Sequence, residues 1–122
     1  MLVGYDVYNP KTFGTRIGEI SIAMGKSEKR VSARAFILAT GGLVGKGITG
    51  SYNTLKEPIF ELPVAAPRKR TDWFRKRLFD PAGHPINRAG IMVDDHLRPV
   101  DKKGEPAYDN LLVCGTQLFG FD

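Results

Sequence analysis

Cysteine is almost absent. The lone Cys114 has no partner for an internal disulfide, so no covalent bridge staples this fold. Histidine is nearly as scarce: His84 and His96, with Cys114, lack the paired spacings of a structural zinc site, and no metal is expected. Long apolar runs are missing too. The longest, Ala35 to Ala39, falls far short of the roughly 20 residues that span a bilayer, and no charged-then-apolar secretion signal opens the chain. These absences make a cytoplasmic protein the default expectation.

What is present is an ordinary globular composition, 42% hydrophobic and 25% charged, which argues against wholesale disorder. At 122 residues the chain suits a single domain, residues 1–122, that buries roughly two-thirds of its unfolded surface. The net charge of +5 favours anionic partners without choosing among phosphates, acidic lipid and nucleic acid. Much of that charge is concentrated in Arg68-Lys69-Arg70 and Arg75-Lys76-Arg77.

Hydrophobic patterning predicts two short strands between Met1 and Met24, broken at Gly14-Thr15. A polar turn at Gly25 to Lys29 then leads through the alternating Val31, Ala33 and Ala35 into the apolar Phe36-Ile37-Leu38. A strand that begins half-exposed and ends apolar on both faces is expected to enter a covered, parallel sheet, with residues 35–39 as its centre. Five glycines between Gly41 and Gly50 predict a loop. Pro58, Pro63 and Pro67 punctuate an extended passage, and Thr71 to Phe79 reads as a short helix capped by Thr71. Gly90 to Val93 and Leu97 to Val100 form a predicted hairpin about Asp94-Asp95, with Pro99 confining the second strand to an edge. After a polar link, Leu111 to Gly115 is a second buried strand. The fold class is therefore α+β or α/β: two central buried strands, peripheral β-hairpins and one short helix.

Both apolar strands stop at glycine, Phe36 to Gly42 in one case and Leu111 to Thr116 in the other. Ligands of open α/β sheets bind outside the carboxyl ends of the strands, where glycine lets main-chain amides approach a phosphate or ribose. A dinucleotide fits such an edge. So does the plainer explanation that buried strands often end on a glycine turn, and spacing alone does not choose.

The residues carry more than the spacing. Ala39-Thr40-Gly41-Gly42 after an apolar strand resembles the strand-ending signature of two-dinucleotide-binding-domain flavoproteins. In that group a hairpin like Gly90 to Pro99 precedes a polar link, a strand like Asn110 to Val113 and a glycine beside the flavin. Within it, the pattern is similar to the B-subunit family of anaerobic glycerol-3-phosphate dehydrogenases, through Gly41-Gly42, Lys56 to Phe60, Leu97-Arg98-Pro99 and Gly115 to Asp122. The resemblance covers roughly Ile17 to Asp122. It departs in two places: the strand with a Gly-x-Gly-x-x-Gly turn that grips the pyrophosphate in the family is not expected anywhere in this sequence, and the glycine-rich turn and helix that follow in the family are not reached. An excised carboxy-terminal fragment, inactive alone and weak in flavin binding, is the expectation.

The resemblance implies FAD (or FMN) in the parent protein, with Thr40, Gly41 and Gly42 near the adenosine and pyrophosphate and Gly115 and Thr116 approaching the ribityl chain. It makes residues 34–50 and 110–122 the dinucleotide-binding elements and 51–109 a substrate- or cap-side insertion. It also implies oxidation of glycerol 3-phosphate to dihydroxyacetone phosphate, electrons leaving toward quinone, and other dehydrogenase subunits as partners. A fumarate reductase or succinate dehydrogenase type of flavoprotein is the second enzyme reading, and a non-enzymatic basic interaction module is the third.

No catalytic base is assigned. His84 and His96 titrate near neutrality but sit in predicted turns, and Asp94-Asp95 reads first as an Asx-type turn. Cys114 reads as a small core hydrophobe. In the basic stretch, Phe74 and Leu78 are expected to share an apolar helical stripe while the cations stay solvated. A small phosphorylated substrate, a partner subunit or peripheral placement at the inner membrane face would give those cations a purpose; no nucleic acid is expected.

Overall fold

The computed structural model describes residues 6–121. Met1 to Tyr5, part of the first expected strand segment, and Asp122, the end of the 110–122 element, lie outside the described residues. Among the described residues nine short strands form four small sheets.

The first sheet is an antiparallel meander of β1 (Asp6–Phe13), β2 (Arg16–Met24) and β3 (Ser27–Ser32). Its hairpins close through Gly14-Thr15 and Gly25-Lys26, with positive φ at each glycine, the II′ pattern that suits strand twist. Pro10 is tolerated because β1 is an edge strand, irregular between Tyr8 and Thr12. On β2, Ile17, Ile20 and Ile22 all reach the core although the first two are three positions apart, an odd step for a strand. A bulge reconciles this: Lys11 pairs with Glu19 while Thr12 pairs with Ile17, so Gly18 is the extra residue and lies under the Phe13 ring.

β4 (Phe36–Leu38) and β9 (Leu111–Val113) pair in parallel, with Phe36 opposite Leu111 and Leu38 opposite Val113. Those four side chains join the three isoleucines of β2, Phe60, Leu62 and Ile91 in the main core. Each fully buried aliphatic side chain of this kind contributes roughly 1.5–3 kcal/mol of transfer free energy. The opposite face is not covered as the all-apolar run predicts. Ile37 stands 68% exposed and Leu112 is half-buried, because among the described residues nothing packs over that side of the two-stranded sheet.

Asn110 ties the two sheets together. Its side chain accepts from Ile17 N at 2.8 Å and donates to Ile17 O at 2.8 Å, while its main-chain oxygen accepts from Phe36 N. A buried amide thus completes a strand-like pairing at the junction.

The expected helix over 71–79 is not formed. Arg70–Asp72 is a single 3-10 turn preceded by Lys69 in extended conformation without a side-chain cap, so Thr71 caps nothing. Trp73 explains the difference: it is buried against Ile86 and Ala89, and its indole donates to Pro67 O at 2.9 Å. His84 then organises the following loop. Its Nδ1 accepts from Arg75 N at 3.0 Å and its Nε2 lies 2.9 Å from Leu78 O, so main-chain groups find the imidazole rather than helical partners. Phe74, Leu78 and Phe79 are consequently exposed and share no helical stripe. A second 3-10 turn, Pro85–Arg88, follows, and no α-helix occurs among the described residues.

β5 (Thr49–Gly50) pairs with β6 (Leu55–Lys56), and β7 (Val64–Ala65) with β8 (Gly90–Ile91). The predicted hairpin about Asp94-Asp95 survives as main-chain bonds, Asp94 N to Arg98 O and Val100 N to Met92 O. Pro99, however, is not on an edge. It is fully buried, opposite Val93 at a position where the ladder asks for no N–H, and its carbonyl accepts from Ala107 N on the other side.

Candidate functional site

The parallel register of β4 and β9 brings two strand ends out together, and Thr40-Gly41-Gly42 meets Gly115-Thr116 there. Gly42 N donates to Thr116 Oγ1 at 3.0 Å, which leaves the Thr116 hydroxyl hydrogen free for another acceptor. Gly42 is a close-approach residue: a Cβ would come within 2.7 Å of Thr116 O and push the strand ends apart. Its amide is used inside the protein, so it braces the edge. Gly41 and Gly115 differ. They have φ of +84° and +85°, and no acceptor among the described residues takes the N–H of Gly41, Gly115 or Thr116. Beside Gly115 a Cβ would meet nothing within 4 Å.

Gln117, which the patterning did not single out, holds this edge in place. It is fully buried, its amide donates to Leu38 O and to Cys114 O at 3.2 Å, and its Oε1 accepts from Thr40 Oγ1 at 2.9 Å. A lone glutamine among small residues gives a sequence reader little warning of such a role. Beyond it the chain turns back beside β8, where Gln117 O accepts from Ile91 N at 2.7 Å. A shallow groove of ≈ 290 Å³ borders the edge, lined by Gly42, Thr116, Leu43, Ala89 and Phe121 among others.

Another feature missed by patterning is Gly45-Lys46-Gly47-Ile48-Thr49-Gly50, which has Gly-x-Gly-x-x-Gly spacing. It lacks the strand before and the helix after that make such spacing a pyrophosphate grip. Gly47 is instead folded hard against the Gly41 carbonyl, and Thr49–Gly50 leads into β5.

The titratable candidates fall away from this edge. Asp94 Oδ1 accepts from His96 N and Arg98 N, and its Oδ2 lies 2.7 Å from the Arg98 guanidinium, so it is a turn carboxylate. Burial pushes its pKa up, but those N–H donors and the Arg98 charge outweigh that and hold it below the ordinary value. His96 is exposed in the turn, and His84 braces its loop. Cys114 is half-buried rather than part of the core. Sequence reasoning also missed Glu57, fully buried with its carboxylate accepting from Ile59 N at 2.8 Å and Phe60 N at 2.7 Å. It shapes the 57–62 turn. Among the described residues no cluster of three or more metal-ligating side chains occurs, and no helix is long and apolar enough to cross a membrane.

Bare amides at a parallel-strand edge can hold an anionic or polyhydroxyl ligand, and the sequence pattern of the FAD binding domain family matches residues 8–122. The chain belongs to that family. FAD is therefore the cofactor of the parent protein, and the family match takes in the meander and the basic stretch along with both glycine ends. Over 91 residues, 75% of this chain and 21% of the relative, the chain is 41% identical to the B subunit of a probable anaerobic glycerol-3-phosphate dehydrogenase of Halobacterium salinarum. The corresponding B subunits of Vibrio cholerae and Yersinia pestis are 33% identical over 92 and 90 residues, 75% and 74% of this chain and 21% and 20% of theirs. The chain thus spans about a fifth of the length of these relatives. No solved structure shows a significant match.

The residues present fit FAD in a limited way. Gly115 offers unobstructed main chain with an untaken N–H, Gly41 offers an untaken N–H beside Gly45, and Thr116 offers a hydroxyl hydrogen.

Proposed function

We propose that this chain supplies one wall of the FAD site of a flavin-dependent dehydrogenase that oxidises glycerol 3-phosphate to dihydroxyacetone phosphate and passes electrons toward quinone. The observation that supports this reading is the shared edge of β4 and β9, where Gly41 and Gly115 stand together with untaken amides. The names of the similar B-subunit proteins supply the substrate.

When bound, FAD supplies the two-electron acceptor. The chain's own part is to hold and orient. Gly41 N–H would donate to the pyrophosphate side, and Gly115 N–H with the Thr116 hydroxyl to the ribityl side. Gly42 and Gln117 keep those donors at fixed separation by tying Thr116, Thr40 and Leu38 together. The Ile37 and Leu112 face offers further apolar surface to the parent protein, residues 51–109 face the substrate side, and other dehydrogenase subunits complete the enzyme. Adding glycerol 3-phosphate anaerobically to the parent protein tests the reading: bleaching of the flavin absorbance is expected, and a flavin untouched by that substrate but bleached by another small anion would redirect it.

A further inference from the structure

Residues 73–84 form a loop whose main chain is braced and whose apolar side chains at the tip are left exposed. Trp73 anchors one end in the small core, and the His84 ring holds Arg75 N and Leu78 O at the other. Between these anchors Leu78 is 77% exposed and Phe79 91%, and Phe74 is 57% exposed beside the His84 ring. Two large adjacent apolar side chains held outward by a braced loop need an apolar or interfacial environment.

The charges around them are mostly positive, with Asp80 the one carboxylate in the loop and Arg75 3.9 Å from it. Lys76 and Arg77 precede the apolar pair directly, and neither enters an ion pair among the described residues. Arg68 and Lys69 line a shallow cleft that Phe74 and Tyr52 share, so the cationic rim is continuous with the aromatic surface. Arg75 is the exception, held by Gly83 O and near Asp80. Arg70 is also engaged, over the Tyr52 ring and bonded to Tyr52 O.

We propose that this loop docks on an anionic bilayer surface, with Leu78 and Phe79 entering the interfacial zone and Lys76, Arg77, Arg68 and Lys69 meeting headgroup phosphates. An apolar tip next to Lys76 and Arg77 matches the two terms that drive interfacial binding, buried apolar area and attraction to acidic lipid. A single nucleic-acid strand would use the aromatic rings for stacking but gives no role to the aliphatic Leu78. A protein partner would need an apolar pocket for Leu78 and Phe79 ringed by carboxylates, and such a complex is an outcome of the test below. The inference is independent of the proposed reaction, since it uses no residue of the glycine edge.

Sedimentation of the chain with vesicles of phosphatidylglycerol and phosphatidylcholine, against phosphatidylcholine alone, tests it. Binding to the anionic vesicles only, weakened by salt, is expected. Lys76→Ala with Arg77→Ala should weaken partitioning about twenty-five-fold, from about fivefold per cation near an acidic surface. Leu78→Ser with Phe79→Ser should weaken it at least as much, by roughly twenty-five-fold or more, through lost apolar burial. Both pairs are exposed, and if one of them disturbs the urea midpoint the other still decides. No binding to anionic vesicles, equal binding to neutral ones, or binding untouched by both double variants overturns the proposal. So does an oligonucleotide or acidic-protein complex that persists in Leu78→Ser with Phe79→Ser while vesicles are ignored. FAD titration of the parent protein reports separately on the glycine edge.

Discussion

Replacing Gln117 with leucine is the perturbation that probes the brace behind the glycine edge. The change keeps side-chain size but removes three hydrogen bonds, to Leu38 O, to Cys114 O and from Thr40 Oγ1. Their losses are unequal. Leu38 O keeps Cys114 N as a donor at 3.1 Å, and Thr40 is exposed and can turn its hydroxyl to water. Cys114 O is the group left short of a partner; a fully buried unsatisfied acceptor costs about 1–3 kcal/mol, and the partial exposure of this one keeps it to the lower part of that range. Better burial of leucine offsets part of this, so a net loss of about 1–2 kcal/mol is expected from a total of about 5–15 kcal/mol for a domain of this size. Urea unfolding followed through Trp73 fluorescence reads it as a lower midpoint at unchanged slope. Gln117→Glu should cost more, about 3–5 kcal/mol, because a carboxylate would face two carbonyl oxygens without a cation. An unchanged or raised midpoint for Gln117→Leu would refute the bracing role.

Three further outcomes follow from individual contacts. Glu57→Ala orphans the amides of Ile59 and Phe60 and should destabilise by about 2–4 kcal/mol in the same urea assay, whereas Glu61→Ala, at a position without such bonds, should change little. Tyr108 is raised above its ordinary pKa by burial first and then by the negative Glu57 and Glu61. Its stabilising contribution is therefore complete below about pH 10 and is lost as pH climbs through the higher folded value, which a pH series of thermal midpoints would show weakened in Tyr108→Phe. Asp94 runs the other way: its lowered folded value means stability present above about pH 4 that is lost as pH falls further, and Asp94→Asn should flatten that acid limb.

Legibility in the sequence followed how local each cause was. The apolar runs ending at Gly41 and Gly115 announced two strands and a common edge, because burial and glycine punctuation act over a few residues. The hairpin turns at Gly14 and Gly25 and the Asx turn at Asp94 were legible for the same reason. The helix over 71–79 failed because a distant acceptor, Pro67 O, and a core pocket captured Trp73, and because the His84 ring took main-chain groups that a helix would have paired. Local propensity carries no record of such partners. Pro99 was misplaced because a ladder position that asks for no N–H is invisible without the register. The same holds for Gln117 and Glu57, whose partners are main-chain atoms brought in by the fold. The open Ile37 face shows the converse limit: an apolar run reports that a strand can be covered on both sides, and not which segment does the covering.

The cofactor edge itself is best tested by a matched pair of glycine substitutions in the parent protein. Gly115 and Gly104 both have φ of +85° and open space where a Cβ would go, so alanine imposes the same backbone strain, roughly 1–2 kcal/mol, at each. Only Gly115 stands at the joined ends of β4 and β9. FAD titration should show Gly104→Ala binding like the unsubstituted protein and Gly115→Ala binding at least about tenfold more weakly, because the added methyl fills the open space through which the flavin would approach the main chain. Equal affinities in the two variants would contradict the placement of the flavin at this edge.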